Sequence, residues 1–140
     1  MKYVSHVPIP KASEKKYRTL EITLDHLPPP ELNPNNLRRS HWTVRHEATQ
    51  RAKNEIGWLA KVQWHDDKPM MRARISYRFC LKDNRRRDLD NLLGACKAYQ
   101  DGLIEAGVIF YDDAKHLEIG NIKAEVTGEE KTIVLIEEIE

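Results

Sequence analysis

The sequence contains little of what stabilises small secreted domains or anchors proteins in membranes. Only two of its 140 residues are cysteines, Cys80 and Cys96, and their spacing does not match a zinc site. Because they fall in a predicted strand and a predicted helix, we predict two buried thiols of a cytoplasmic protein rather than a disulfide. No apolar run approaches the roughly 20 residues that a membrane-spanning helix needs.

Residues 1–16 also lack the apolar region of a secretory signal. They contain Pro8 and Pro10 among mostly polar residues, and we expect them to form a mobile polar arm. The whole chain, with 40% hydrophobic and 32% charged residues, has the composition of a globular protein rather than of a disordered one. Its 140 residues match the length of one domain, so we predict a single domain over residues 1–140.

A strong excess of one charge is missing, since the formal net charge is +1 at pH 7. The charges are nevertheless unevenly distributed along the chain. Five basic residues and one acidic residue lie in 36–53, six basic and one acidic in 74–87, and six acidic and one basic in 125–140. A basic middle is compatible with binding to a polyanion, although the net charge alone argues against it.

Two periodicities predict the secondary structure. Apolar and polar residues alternate in 17–27 and 70–81, which predicts half-buried strands. Helical spacing recurs in 40–64 and in 89–106, where Gly107 is suited to end the helix. Two further strands, 117–126 and 131–140, are predicted to form a hairpin at Thr127–Gly128. This order indicates an α+β fold, a two-layer sandwich with two helices packed on one face of a mixed β-sheet of about four strands.

The same periodicities predict which side chains are buried. In the second strand the inward residues alternate from Met71 to Leu81. Each helix has one apolar stripe. The stripes consist of Val44, Ala48, Ala52, Ile56, Leu59 and Val62 in the first helix, and of Leu89, Leu92, Leu93, Cys96, Tyr99 and Leu103 in the second.

Two aspartate pairs flank the second predicted helix, Asp88 and Asp90 before it and Asp112 and Asp113 after it. Aspartate often caps the backbone N–H groups of a helix start, and for the first pair alone this explanation is as good as a functional one. If the next strand packs beside the strand ending near Leu81, the second pair returns to the first. Clustered carboxylates repel one another unless a cation lies between them, and Mg²⁺ prefers such ligands.

Three arginines, Arg85, Arg86 and Arg87, directly precede the first aspartate pair. A solvated loop is the ordinary explanation of such a run. Beside carboxylates, however, arginines and metal ions together hold a phosphodiester that the carboxylates alone would repel. The combination therefore favours metal-dependent phosphodiester hydrolysis over glycoside hydrolysis, which uses two carboxylates but needs no arginines.

The segment from Arg85 to Asp113, RRRDLDNLLGACKAYQDGLIEAGVIFYDD, resembles the signature of the RusA-type Holliday junction resolvases of bacteria and their phages. The shared pattern is Asp-x-Asp-Asn at a helix start and Asp-Asp after Gly-Val. The earlier segment LPPPELNPNNLRRSHW is similar to the family's proline- and asparagine-rich loop. The resemblance implies a homodimeric, Mg²⁺-dependent endonuclease, with Mn²⁺ as a substitute, that cuts four-way DNA junctions by paired nicks in recombination and repair, in a bacterial cell or a phage-infected host.

The resemblance also assigns roles to individual residues. Asp88 and Asp90 match the family's paired metal-binding, catalytic carboxylates. Asp113 matches the third acidic position, both metal-binding and catalytic, with Asp112 as the second choice for the metal ligand. Asn91 matches the asparagine of the motif and is a candidate DNA contact.

The chain departs from the family pattern at Gly94, since a catalytic lysine usually follows the second aspartate by one turn. Asp90, Gly94, Lys97 and Asp101 share one face of a helix. Lys97 is therefore the candidate catalytic lysine, with Gly94 leaving room for it, and a solvated surface lysine is the equally weighted alternative. The departure keeps open a second function, that of a non-catalytic or weakly active branched-DNA-binding protein of the same fold. A nuclease that prefers flaps or forks is a third option.

Other basic residues are further candidate DNA contacts. After Arg85–Arg87 we rank Arg38, Arg39 and Arg45, which we expect to add salt-dependent affinity for phosphates with little sequence preference. Trp42, near them in sequence, either stacks on DNA or packs in the core. Four histidines match no metal-ligand spacing, so we predict surface or loop roles for them: His41, His46, His65 and His116.

Overall fold

The computed structural model describes residues 17–37 and 41–140. The predictions for the arm 1–16 and for Arg38 and Arg39 lie outside the described residues. The strands are β1 (Thr19–Leu24), β2 (Ala73–Leu81), β3 (Leu117–Val126) and β4 (Lys131–Glu138). The helices are a 3-10 turn (Pro30–Leu32), α1 (Pro34–Leu37), α2 (Trp42–Gln63), α3 (Leu89–Gly94) and α4 (Lys97–Glu105).

The strands form one mixed sheet in the order β1-β4-β2-β3, which confirms the predicted α+β fold. β4 is antiparallel to both of its neighbours, whereas β2 and β3 are parallel. The predicted hairpin at Thr127–Gly128 is wrong, because β3 and β4 are not adjacent. The N–H groups of Thr127 and Gly128 instead donate to the Leu81 carbonyl at 2.9 and 3.2 Å, so the chain passes around the end of β2.

One face of the sheet forms the core with the helices. Ala73, Ile75, Tyr77 and Phe79 of β2 are buried, as predicted. Met71 is 51% exposed, so its predicted burial is wrong. The strand begins only at Ala73, and Met70 is the buried residue before it.

The buried stripe of α2 is narrower than predicted. Ala48, Ala52 and Ile56 are buried, Leu59 is partly buried, and Val44 and Val62 are exposed. Because residues four apart lie on the same side of a helix, the buried line continues from Ile56 to Ala60 and leaves Val62 on the solvent side.

The predicted second helix is interrupted at Ala95 and Cys96, which separate α3 from α4. The Cys96 N–H donates to the Leu93 carbonyl and the Tyr99 N–H to the Cys96 carbonyl, each at 3.0 Å, and bonds of this three-residue span tighten a helix locally. Four residues of the predicted stripe are buried and Leu93 is partly buried, but Leu89 is 39% exposed. Both cysteines are buried and free, as predicted.

Candidate active site

Asp88 and Asp90 lie at the start of α3, and both are exposed. Asp88 is the N-cap residue, since its Oδ1 accepts a hydrogen bond of 3.0 Å from the Asp90 N–H. The expected capping role is therefore real. Capping uses only Oδ1 of Asp88 and, among the described residues, leaves its Oδ2 unused. The Asp90 carboxylate accepts no hydrogen bond from the part of the chain that the structure describes. Oxygens of both carboxylates are thus available to a cation.

The three arginines before this pair differ in accessibility. Arg85 and Arg86 are exposed, whereas the Arg87 side chain is only 11% exposed. Arg87 Nη1 donates to the backbone carbonyls of Asp83 and Arg85 at 3.2 and 3.1 Å. Its Nη2 lies 3.2 Å from Asp83 Oδ1 and 3.7 Å from Glu130 Oε2. Arg87 therefore braces the loop, and Arg85 and Arg86 are better placed to meet a phosphate.

Lys97 joins α4 to the loop that follows it. Its Nζ donates to Asp101 Oδ1 at 2.8 Å and contacts Asp112 Oδ2. Lys97 and Asp101 therefore share a helix face as predicted. Partial burial opposes protonation of Lys97, but the hydrogen bonds to the two carboxylates outweigh it and raise the pKa of Lys97. The protonated Lys97 side chain therefore places a positive charge next to one of the candidate carboxylates, Asp112.

Asp113 has a different environment from its neighbour Asp112. Its Oδ1 accepts hydrogen bonds from the N–H groups of Lys115 and His116 at 3.1 Å each, and lies 2.6 Å from His116 Nδ1. The hydrogen bond with His116 is the main cause that lowers the pKa of Asp113. Asp113 thus caps the turn that leads into β3. His116 lies in this turn, in keeping with the surface or loop role predicted for it, but its bond to Asp113 was not predicted. An aspartate followed by bonding groups two and three residues later is typical of such a turn.

The two aspartate pairs lie at different ends of β2. β3 packs beside β2 as expected, and the parallel register pairs Leu117 with Ala73. Asp113, which precedes β3, therefore lies near the start of β2. Asp88, by contrast, follows the end of β2. Asp112 contacts Lys97, which is the first residue of α4 and is separated from Asp90 by the interruption at Ala95 and Cys96. Within 17–37 and 41–140, no three His, Cys, Asp or Glu side chains are grouped so that they could hold a metal ion.

Gly94 lies under the ring of Pro34. A Cβ on Gly94 would be 2.5 Å from Pro34 Cγ and 2.9 Å from Pro34 Cδ, which is closer than atoms pack. The space that we expected to accommodate Lys97 is therefore occupied by the proline-rich loop, defined as residues 26–37 and including the 3-10 turn and α1. A lysine at this position would require the loop to move away.

A cleft of about 450 Å³ lies between the proline-rich loop and α3, and Asp88, Asn91 and Arg85 line it. His26 also lines it, with Nδ1 2.7 Å from the Leu27 carbonyl and Nε2 2.7 Å from Glu55 Oε1. Burial opposes protonation of the ring, but the bonds to Leu27 and Glu55 outweigh it and raise the pKa of His26. Sequence reasoning missed this cleft, because its walls come from distant parts of the chain.

The family model of the endodeoxyribonuclease RusA matches residues 26–137. The chain belongs to the RusA family. The match includes the cleft, both aspartate pairs and most of the sheet, and it confirms the resemblance seen in the sequence. A comparison with curated proteins gives no significant match.

Membership of the RusA family makes the chain an endonuclease of the Holliday junction type, and it implies that the partner is branched DNA. Nucleases of this family generally use a divalent metal. In the described part of the chain, no helix is long and apolar enough to cross a membrane.

The structure of this RusA-family chain also describes the exposure and contacts of two further candidate DNA-binding residues, Arg45 and Trp42. Arg45 is partly buried, and its Nε has no hydrogen-bond partner among the described residues. Trp42 is 65% exposed and stacks on His46 with 5.0 Å between the ring centroids. Of the two roles considered for Trp42, packing in the core is therefore wrong.

Proposed function

We propose that this RusA-family chain resolves four-way DNA junctions in recombination and repair by Mg²⁺-dependent paired nicks. The observation that supports the proposal most is the pair of exposed carboxylates of Asp88 and Asp90, which lie directly after the exposed Arg85 and Arg86. Arginines bind the phosphate backbone, and carboxylates bind the metal ion that hydrolysis of a phosphodiester requires.

The available donor atoms suit Mg²⁺. This ion is commonly bound in proteins by one or two carboxylates, several waters and substrate phosphates. We propose Asp88 and Asp90 as its ligands, the Asp112–Asp113 pair as the further acidic position, and Mn²⁺ as a substitute ion. When bound, the metal would activate a water molecule and stabilise the leaving oxygen of the phosphodiester.

The protein's own side chains position the DNA. We propose that Arg85 and Arg86 bind the phosphates next to the cut, and that Asn91, in the first turn of α3, contacts the nucleotide. Arg87 braces the loop that carries Arg85 and Arg86 through its hydrogen bonds to the Asp83 and Arg85 carbonyls. Arg38, Arg39 and Arg45 are proposed to bind the backbone further along the duplex, independently of sequence.

Lys97 is proposed as the catalytic lysine in place of Gly94. Asp101 and Asp112 hold its Nζ, so that the ammonium group is preorganised rather than mobile. A fixed positive charge stabilises the negative charge that develops on a phosphate during cleavage. Asp113, which caps the turn that follows, is proposed to share the acidic position with Asp112.

Paired nicks need two active sites, and a C2-symmetric homodimer presents two equivalent sites to a junction of matching symmetry. We therefore propose that the active species is a homodimer. Its mass in solution, measured by light scattering with and without a junction, tests this directly, and a monomer bound to a cleaved junction would contradict it.

The cleavage assay uses a synthetic four-way junction with each strand labelled in turn. We expect symmetric nicks with Mg²⁺ or Mn²⁺, none with EDTA, and a rate reduced more than roughly 100-fold by Asp90→Asn. Asp67→Asn is the matched control, because Asp67 is exposed in the connection between α2 and β2 and is not among the residues that line the cleft. Tight binding without cleavage under any divalent ion would establish the non-catalytic alternative, and faster cleavage of flaps or forks would establish a different nuclease.

A further inference from the structure

The cleft beside Asp88 has apolar walls from two elements. Leu27, Pro28 and Pro30 belong to the proline-rich loop, and Leu92 belongs to α3. Proline and leucine side chains offer flat or compact apolar surfaces, which suit the face of a planar ring. The volume of about 450 Å³ lies within the range of roughly 300–1,000 Å³ that is usual for small-molecule sites.

Two side-chain amides, those of Asn33 and Asn91, also line the cleft. Neither amide makes a hydrogen bond with any residue that the structure describes. Each amide offers both donors and an acceptor, which is the combination that reads the edge of a nucleobase. The cleft therefore joins apolar surfaces for the face of a ring to unused hydrogen-bonding groups for its edge.

The loop that forms one wall is fixed in position. Pro34 packs directly on Gly94 of α3. Thr132 Oγ1 of β4 donates to the His26 carbonyl at 2.7 Å, and the His26 ring lies 2.7 Å from Glu55 of α2. These contacts tie the loop to three different elements, so the cleft is preformed rather than assembled by its occupant.

Arg85 and Asp88 line the same cleft, so that its occupant lies next to both a phosphate-binding side chain and a candidate catalytic carboxylate. A nucleotide matches these groups, because its base fits the apolar walls and amides of the cleft while its phosphate binds Arg85. Taking a base out of the stack costs least where pairing is already interrupted, as it is at the branch point of a junction.

We propose that this cleft binds the base of a nucleotide unstacked at the branch point, adjacent to the strand that is cut, and so determines the sequence preference of cleavage. The inference rests on the proposed function, because it takes junction DNA as the substrate. It adds a specificity-determining site that includes Asn33 and the proline-rich loop.

The test uses junctions that carry 2-aminopurine, whose fluorescence rises when it leaves the base stack. Binding is measured in EDTA, so that no strand is cut. We expect a severalfold rise with 2-aminopurine at the branch point and none with the probe inside an arm. Asn33→Ala should lose most of the rise and bind the junction roughly fivefold more weakly, the effect of one hydrogen bond. Asn33→Trp, which fills the cleft, should abolish the rise.

Asn35→Ala is the matched control, because Asn35 belongs to the same loop but does not line the cleft, and it should behave as wild type. Junction binding without a rise in fluorescence would overturn the base site while leaving the proposed function intact. An equal rise on a fully paired duplex would overturn the assignment to a branch-point nucleotide. Absence of junction binding by the wild-type protein would overturn both proposals.

Discussion

At the scale of single residues, Asp88 combines a structural and a proposed chemical role. Its Oδ1 caps α3 through the Asp90 N–H, and we propose that the same carboxylate binds the metal ion. Asparagine caps helices as well as aspartate does but lacks the charge that a metal site requires. The two roles can therefore be separated by comparing two substitutions at one position.

We predict that Asp88→Asn leaves the free energy of unfolding within a few tenths of a kcal/mol of wild type, whereas Asp88→Ala lowers it by about 1 kcal/mol. Both variants should lose Mg²⁺-dependent cleavage. Urea titration measures the stability, and the labelled junction measures the rate. Full activity of Asp88→Asn would remove Asp88 from the metal site.

A second prediction concerns Lys97, whose Nζ is held between Asp101 and Asp112. Lys97→Ala should reduce the single-turnover rate of junction cleavage roughly 100-fold, with little change in junction affinity. Lys97→Arg should restore part of the rate, because the charge is kept. Lys61→Ala, at an exposed position near the end of α2, is the control, and a rate for Lys97→Ala equal to that of the control contradicts the proposed role.

At the scale of elements, the contact between Gly94 and Pro34 sets the distance between α3 and the proline-rich loop. We predict that Gly94→Ala destabilises the protein by about 1–3 kcal/mol, because the new Cβ would overlap the Pro34 ring. Gly57→Ala is the control: it is also helical, but its Cβ would meet only the Gly102 carbonyl, at 3.9 Å. Since alanine favours helix more than glycine does, this control should be stabilised by up to about 1 kcal/mol.

Chemical denaturation of the two variants measures the difference. If Gly94→Ala proved as stable as wild type, the loop would not be held against α3 as the structure shows. The same variant should also weaken the fluorescence response of the branch-point base, because the loop forms one wall of the cleft.

The link between the loop and α2 depends on pH through His26. Its pKa is raised above the ordinary value of 6.5 by the bonds to Leu27 and Glu55, which outweigh burial. The stability that His26 contributes is therefore fully present below pH 6.5 and is lost as the pH rises through the raised value. The difference in free energy of unfolding between wild type and His26→Gln should shrink over that interval.

Urea titrations of both proteins across about pH 5 to 9 follow this difference. His65→Gln serves as the control, because His65 is exposed and lies in the connection between α2 and β2 rather than in the proline-rich loop. A difference between wild type and His26→Gln that stayed constant with pH would show that the His26–Glu55 bond does not depend on protonation.

At the scale of the whole molecule, the charge pattern predicts how the protein meets DNA. Each phosphate contact releases counterions, so junction affinity should fall as salt rises. Arg85→Ala should reduce the slope of log affinity against log salt by about one. Arg51→Ala should leave the slope unchanged, because Arg51 is paired with Glu31 at 2.8 Å, and an equal effect of both variants would argue against a specific contact of Arg85.

The order of the strands shows where sequence reasoning stops. Alternation predicted that residues 131–140 form a strand, and β4 is indeed Lys131–Glu138. It did not show that this strand lies between β1 and β2, because side-chain alternation indicates a face of the sheet but not the neighbours within it. The short connection between β3 and β4 favours a hairpin of these two strands. In the structure the apolar strand β4 instead lies between β1 and β2 and forms backbone hydrogen bonds along both of its edges.

The sequence by itself determined the α+β class, the buried face of β2, most of the apolar helix stripes and the RusA family. Those features follow from local periodicity and from a contiguous motif. Only the tertiary structure decided that Pro34 occupies the space over Gly94, that Lys97 pairs with Asp112, and that the loop and α3 enclose a cleft. These features depend on contacts between residues far apart in the chain, whose distances are set by the packing of whole elements rather than by any local pattern.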